Sequence, residues 1–132
     1  MLRYLLDTDT VIYVIKKRPI GALKRFNEQA SRMAISSITL SELIYGAHKS
    51  ERVTQNLEAV EEFASHLVVL PYEERAAVHC GEIRAHLEKR GKPIGLYDTQ
   101  IAAHARSQGM TLVTNNKREF SRVPGLTIES WV

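Results

Sequence analysis

The chain has 132 residues, of which 44% are hydrophobic and 25% charged, with a net charge of +3. That describes one ordinary globular domain over residues 1–132, too short for a catalytic domain plus a cap. No apolar run approaches the roughly 20 residues of a membrane span, the N-terminus lacks a signal-peptide layout, and Cys80 is the only cysteine; a disulfide framework and a cysteine-based zinc site are excluded, and a reducing cytoplasm is the expected location.

Arg3 to Leu6 reads as a short strand, followed by a turn or helix start at Thr8 and an apolar run from Val11 to Ile15. Lys16-Lys17-Arg18-Pro19 closes that run, and Pro19 opens a helix to about Asn27 with Leu23 and Phe26 on one face. Met33 to Ser36 is a second strand. Leu40, Leu43, Ile44 and Ala47 keep helical spacing over 39–49, as do Leu57, Val60, Phe63 and Ala64 in the next helix. Leu67 to Leu70, stopped by Pro71, reads as a buried strand. A long helix from about Glu73 to Lys89 is ended by Gly91, and the loop from Arg90 to Tyr97 precedes a helix over Asp98 to Ser107. Thr111 to Thr114 and Leu126 to Ile128 complete the strands. Short apolar strands alternating with helices predict an α/β fold whose parallel sheet is covered on both faces.

Four carboxylates fall at boundaries of these elements: Asp7, Glu42, Asp98 and Glu119. Side chains there reach the cleft at the carboxyl edge of a parallel sheet, where ligands of open α/β folds bind. Gathered together they would repel, and a hard divalent cation relieves that repulsion while also carrying a phosphate. Oxygen ligands select magnesium or manganese over zinc. Each carboxylate also has a local explanation. Asp7 suits an Asx-turn or N-cap, Thr39-Leu40-Ser41-Glu42 spells a capping box, Asp98 suits an N-cap, and Glu119 suits a solvated charge. Asn115 and Asn116 add polar groups after Thr114. His48, His66, His79, His86 and His104 are scattered without ligand spacing and read as surface or core residues.

Charge is uneven. Residues 51–75 carry −4, leaving +7 for the rest of the chain. Basic clusters lie at Lys16-Lys17-Arg18, at Lys89, Arg90 and Lys92, and at Lys117, Arg118 and Arg122. A basic surface around an acidic pocket suits a polyanion, although the same residues could simply solvate loops and helix ends.

Four motifs, in order, carry a resemblance: Leu5-Leu6-Asp7-Thr8-Asp9-Thr10, the segment from Ser36 through Glu42 to Gly46, the segment from Pro93 through Asp98 to Ala105, and Val113 to Phe120 with Glu119. Over essentially its whole length the chain resembles the VapC toxins, ribonucleases of the PIN-domain superfamily. The resemblance implies a three-layer α/β/α sandwich and Mg²⁺- or Mn²⁺-dependent cleavage of RNA, with transfer or ribosomal RNA as typical substrates. It also implies inhibition by a VapB-type antitoxin and, commonly, a homodimer. The family's acidic metal-binding quartet carries over to Asp7, Glu42, Asp98 and Glu119, and its supporting hydroxyl and amide to Thr114 and Asn116. Two positions depart: Asp9 stands where relatives often have Asn, and Glu119 where many have the shorter Asp, which suggests a contact through water. The apolar faces of residues 39–64 are candidates for self-association or antitoxin docking. Asp7-Thr8-Asp9-Thr10-Val11 also fits the opening motif of haloacid-dehalogenase-type phosphohydrolases, with Asp7 as nucleophile, but no Asp follows Asp98 to complete that family's set. A non-catalytic RNA- or protein-binding domain is the remaining alternative.

Overall fold

Strand β1 (Tyr4–Leu6) sends alternate side chains to opposite faces: Tyr4 and Leu6 join one apolar cluster, Leu5 the other. Strand β2 (Met33–Ser36) splits the same way, with Met33 and Ile35 against Ala34, and β4 (Thr111–Val113) divides Val113 from Leu112. A sheet apolar on both faces must be covered on both, and it is. The structure, a computed structural model, describes residues 1–17 and 20–131. Helices α1 (Thr8–Lys17), α2 (Ile20–Gln29) and α4 (Val53–Ala64) pack on one face, and α5 (Glu74–Lys89) and α6 (Leu96–Ser107) on the other. Between them, α3 (Ser37–Lys49) buries Leu43 in the first cluster while Ile38 leans on the second. The architecture is the expected three-layer α/β/α sandwich.

With β3 (Val68–Leu70) and β5 (Ile128–Glu129), the strands run in the order β3-β2-β1-β4-β5, all parallel. The chain moves outward from β1 through β2 to β3, then returns to lay β4 on the other side of β1. The β1–β4 junction is therefore the switch point, outside whose carboxyl ends such sheets bind ligands. Because α6 leads directly into β4, its N-terminus lies at that same edge.

Some expected boundaries move. The segment read as a buried strand over 67–70 is an edge strand with Val68 45% exposed, because only β2 pairs with it. The last strand forms at Ile128–Glu129 rather than 126–128: pairing with Leu112 and Val113 sets its place, and Glu129 is held by an ion pair with Arg25 and by the Trp131 indole at 3.0 Å. A four-residue helix, α7 (Lys117–Phe120), and a 3₁₀ turn (Ala30–Arg32) were not apparent from the pattern. The start at Pro19 lies outside the described residues. Near the chain's end, Trp131 packs edge-on against Tyr4 and Phe26, with ring centroids 4.9 and 5.5 Å apart, closing the first apolar layer.

Candidate active site

Asp7 is the first residue after β1, and its placement is forced. Its amide donates to the Val113 carbonyl at 3.0 Å, extending the β1–β4 ladder, and its side chain is 2% exposed. Oδ1 accepts the Thr10 amide at 2.8 Å, as an N-cap of α1 does. Oδ2 accepts the Thr114 hydroxyl at 2.5 Å across the switch point. Burial pushes the Asp7 carboxyl above its usual range and Asp9 adds to the effect, while the bonds from Thr10 and Thr114 oppose it. The local and the functional explanations of Asp7 therefore coexist in one side chain.

Glu42 does not close the capping box expected at Thr39. Helix α3 starts earlier, capped by Ser36, whose hydroxyl accepts the Ile38 amide at 3.1 Å. Glu42 instead lies in the second turn, where its Oε1 accepts the Thr8 hydroxyl at 2.7 Å. Buried Thr39 lies 3.1 Å from that hydroxyl, one helical turn before Glu42 on the same face. Thr8 and Thr39 thus tie α1 to α3 and orient a carboxylate, a role the sequence reading missed; the available signal was a hydroxyl beside Asp7 and another three residues before Glu42.

Asp98 is not the N-cap either. Helix α6 begins at Leu96 after Gly95, so Asp98 sits in the first turn, half-buried at the carboxyl edge of the sheet. Its carboxyl is raised from an ordinary 3.8 to about 6, first by burial and then by the negative charges of Asp9, Asp7, Glu119 and Glu42. Glu119 is partly buried rather than freely solvated. Asn116 caps α7 by accepting the Glu119 amide at 3.4 Å and donates from Nδ2 to Glu119 Oε2 at 3.0 Å, while its own amide donates to Thr114 Oγ1 at 2.9 Å. A continuous run of bonds therefore joins Asp7, Thr114, Asn116 and Glu119.

The five carboxylates, exposed Asp9 included, are close enough to act on one another, yet among the described residues no three acidic, imidazole or thiol groups close on one point as they stand. Oxygens of Asp7, Glu42 and Glu119 are held by neighbouring hydroxyls and amides. The donor set is nevertheless all oxygen, and the negative crowding that adds to burial in raising Asp98 is the condition a hard divalent cation relieves. By contrast, Asp7 is poorly suited to be a covalent nucleophile, because it is buried with both oxygens engaged.

The histidines lie away from this set in their bonding: His79 and His86 accept from Arg106 and Arg90, exposed His66 meets Glu62, and His104, 1% exposed, pairs with Ser36 at 2.8 Å. Lys117 and Arg118 are exposed on α7 beside Glu119, and Lys16 is exposed on α1; Arg18 lies outside the described residues. An apolar groove between α1, α3 and α4 is lined by Ile12, Ile15, Leu43, Ala47 and Val60, with Glu42 at its edge. No helix among the described residues is long and apolar enough to cross a membrane.

A parallel α/β sandwich with crowded carboxylates at its switch point is the architecture of an acidic-site α/β domain. Residues 4–126 match the PIN domain family. The chain is 54% identical over 132 residues to Ribonuclease VapC2 of Haemophilus influenzae, covering 100% of both chains. It is 55% identical over 131 residues, 99% of both chains, to the tRNA(fMet)-specific endonuclease VapC of Salmonella typhimurium. The crystal structure of DNA-bound VapBC from Salmonella typhimurium contains a chain that superimposes with a TM-score of 0.98 at 55% identity, covering 100% of each. VapBC2 of Rickettsia felis, bound to a DNA fragment from its promoter, gives 0.95 at 38% identity, covering 99% of this chain and 100% of that one. The protein belongs to the PIN-domain family and, within it, to the VapC ribonucleases.

Proposed function

We propose that this protein is the toxin of a type II toxin–antitoxin pair, an endoribonuclease that depends on Mg²⁺ or Mn²⁺, cuts transfer RNA and is silenced by a VapB-type antitoxin. The observation that carries the proposal is the gathering of Asp7, Asp9, Glu42, Asp98 and Glu119 at the β1–β4 edge, where burial first and then these negative charges raise the Asp98 carboxyl to about 6. Asp7, Glu42 and Asp98 would hold the divalent ion, with Glu119 at a second ion or at an ordered water. When bound, the ion supplies charge neutralisation at the phosphate and a water acidified toward hydroxide.

The chain's own residues do the rest. Thr8 keeps one Glu42 oxygen turned toward α1, and Thr114 fixes Asp7 while receiving the Asn116 amide. Asn116 in turn orients Glu119. Hydrolysis forms a bond from water oxygen to phosphorus and breaks the bond from phosphorus to the 3′ oxygen. The products carry 5′-phosphate and 3′-hydroxyl ends, with no need for the ribose 2′-hydroxyl as nucleophile. Lys117 and Arg118 flank the site with exposed positive charge suited to neighbouring phosphates.

Transfer RNA is favoured because relatives at 50–55% identity are named tRNA(fMet)-specific endonucleases. The antitoxin is favoured because the matched structures are VapBC complexes, and the α1–α3–α4 groove suits the apolar face of a partner helix laid beside Glu42.

The test is incubation of purified protein with a transfer-RNA pool, followed by sequencing of the ends. Discrete cuts that need Mg²⁺ or Mn²⁺, stop with chelator and are absent from Asp7→Asn support the proposal. Cleavage indifferent to chelation would overturn the metal assignment, and an antitoxin-free protein that leaves the whole pool intact would overturn the activity.

A further inference from the structure

Of the five histidines, His104 alone is buried. Its Nδ1 lies 2.8 Å from the hydroxyl of Ser36, also fully buried, and that bond forms with either ring tautomer. Nε2 has no partner among the described residues. Burial holds the imidazole below its ordinary range, against the charge of Glu73, and so keeps it neutral at pH 7. Burying a ring with one nitrogen unpaired costs free energy that an apolar side chain would not, so the bond to Ser36 calls for an explanation. Ser36 ends β2 and caps α3 by accepting the Ile38 amide at 3.1 Å; His104 therefore grips the start of α3 from α6. The Tyr72 amide donates to Ser37 Oγ at 3.0 Å, and the Tyr72 ring stands edge-on to the imidazole with centroids 5.6 Å apart. The chain between β3 and α5 thus packs over the same junction. Glu42 lies six residues along α3 from Ser36, and Asp98 six residues back along α6 from His104, each about 9 Å of helix axis. A helix is stiff over so short a span. Fixing α3 to α6 at this junction fixes the two carboxylates relative to each other.

We propose that His104 is a positioning residue of the acidic site: by holding Ser36 it locks α3 against α6 and sets the spacing at which Glu42 and Asp98 can share one divalent ion. The proposal rests on the reading above of those carboxylates as metal ligands, and it adds a group that touches neither the metal nor RNA. Residues that orient ligands from behind contribute roughly 10- to 100-fold in metal affinity or activity. What matters here is where the hydrogen-bonding atom lies. An asparagine amide falls at the place of Nδ1 and can donate or accept, whereas glutamine carries its amide to the place of Nε2, which bonds to nothing among the described residues. Leucine fills the space of the ring with no polar atom.

The experiment compares the full chain with His104→Asn, His104→Gln and His104→Leu. Mn²⁺ uptake without RNA is read from the free-ion signal in electron paramagnetic resonance, kcat and KM are measured on a transfer-RNA pool, and stability is read from the urea midpoint. The Gln and Leu variants should bind Mn²⁺ roughly 10- to 100-fold more weakly and lose kcat by a similar factor, with KM for RNA within about 2-fold of wild type. His104→Asn should keep Mn²⁺ affinity and kcat near wild type, although its smaller side chain leaves a cavity and puts its urea midpoint below that of His104→Leu. Ser36→Gly leaves α3 an acceptable cap but removes the hydroxyl, so it should match His104→Leu and carries the test if that variant does not fold. Gln and Leu variants with wild-type Mn²⁺ affinity would overturn the proposal, as would losses that follow the urea midpoint rather than the Nδ1 bond. A wild type that takes up no Mn²⁺ would overturn the metal reading and this one together. A wild type that takes up Mn²⁺ yet cuts no RNA would overturn only the nuclease reading, and the order of Mn²⁺ affinities then decides the role of His104.

Discussion

Replacing Asp98 with Asn should make the metal-free protein more stable while abolishing its cleavage of RNA. The reason is electrostatic. Asp98 ionises against burial and against four other negative charges, so its folded-state pKa stands at about 6 rather than 3.8. Each pH unit of that difference corresponds to about 1.36 kcal/mol, giving an upper figure of about 3 kcal/mol at neutral pH. The side chain is only half-buried, and screening by solvent and salt reduces this to about 1–2 kcal/mol. For a chain of 132 residues, that corresponds to a rise in Tm of roughly 3–8 °C. The sign follows from linkage: an acid whose pKa is raised by folding leaves stability intact below its unfolded pKa and erodes it as pH rises through the folded one. In chelator, the gap in Tm between Asp98→Asn and wild type should be near zero at pH 4, open between pH 4 and about 6, and stay level above. Differential scanning calorimetry across that range reads it directly, and added Mg²⁺ should raise the wild type more than the variant. An Asn variant less stable than wild type at pH 7.5 without metal would refute the crowding on which the site is argued.

Glu42→Gln keeps an oxygen to accept the Thr8 hydroxyl, so Tm should move by no more than a degree or two while cleavage falls on the order of 100-fold or more; a gel-based assay with end-labelled RNA separates the two effects. Thr114→Val removes the donor to buried Asp7 and the acceptor of the Asn116 amide. It should cost about 2–3 kcal/mol in urea denaturation and reduce cleavage by roughly 10- to 100-fold. His104 is lowered by burial, opposed by Glu73, so its contribution is present above its ordinary 6.5 and is lost as pH falls. In the Asp98→Asn background, where the opposing titration of Asp98 is gone, the urea midpoint should decline more steeply from pH 7.5 to 5.5 than in wild type, and adding His104→Asn should flatten that decline.

The fold was readable because its strands are buried on both faces, leaving runs such as Tyr4-Leu5-Leu6 and Met33-Ala34-Ile35 that are apolar without interruption. The long helices declared themselves through spacing. Helix α7 did not, since a four-residue turn with Phe120 as its one buried residue has no period to detect. Likewise, nothing in the residues around Asp98 distinguishes a cap from a first-turn position; Leu96 and Tyr97 join the helix although their side chains remain in solvent. The four candidate carboxylates were legible as residues, and the resemblance named Thr114 and Asn116 beside them, but the roles of Thr8 and Thr39 at Glu42 were not legible. The local rule for Thr39 and Glu42 predicts a capping box, and it loses to a contact with Thr8, 34 positions away, that exists only after α1 and α3 pack.

That contrast bears on how the site forms. Asp7 and Thr114 are 107 residues apart and meet only when β4 pairs with β1 in the register Leu6↔Val113. A slip of one residue would turn Thr114 toward the opposite face and leave a buried carboxylate without its donor. The acidic edge is thus destabilising by charge, yet it demands one register through its hydroxyl bonds. The apolar strands supply the free energy against which that repulsion is held, with each fully buried Leu or Ile contributing about 1.5–3 kcal/mol. Local segments excised from the chain would lack both the sheet and the register, so the arrangement of Asp7, Glu42, Asp98 and Glu119 is a property of the completed fold and appears only when the last central strand, β4, has docked.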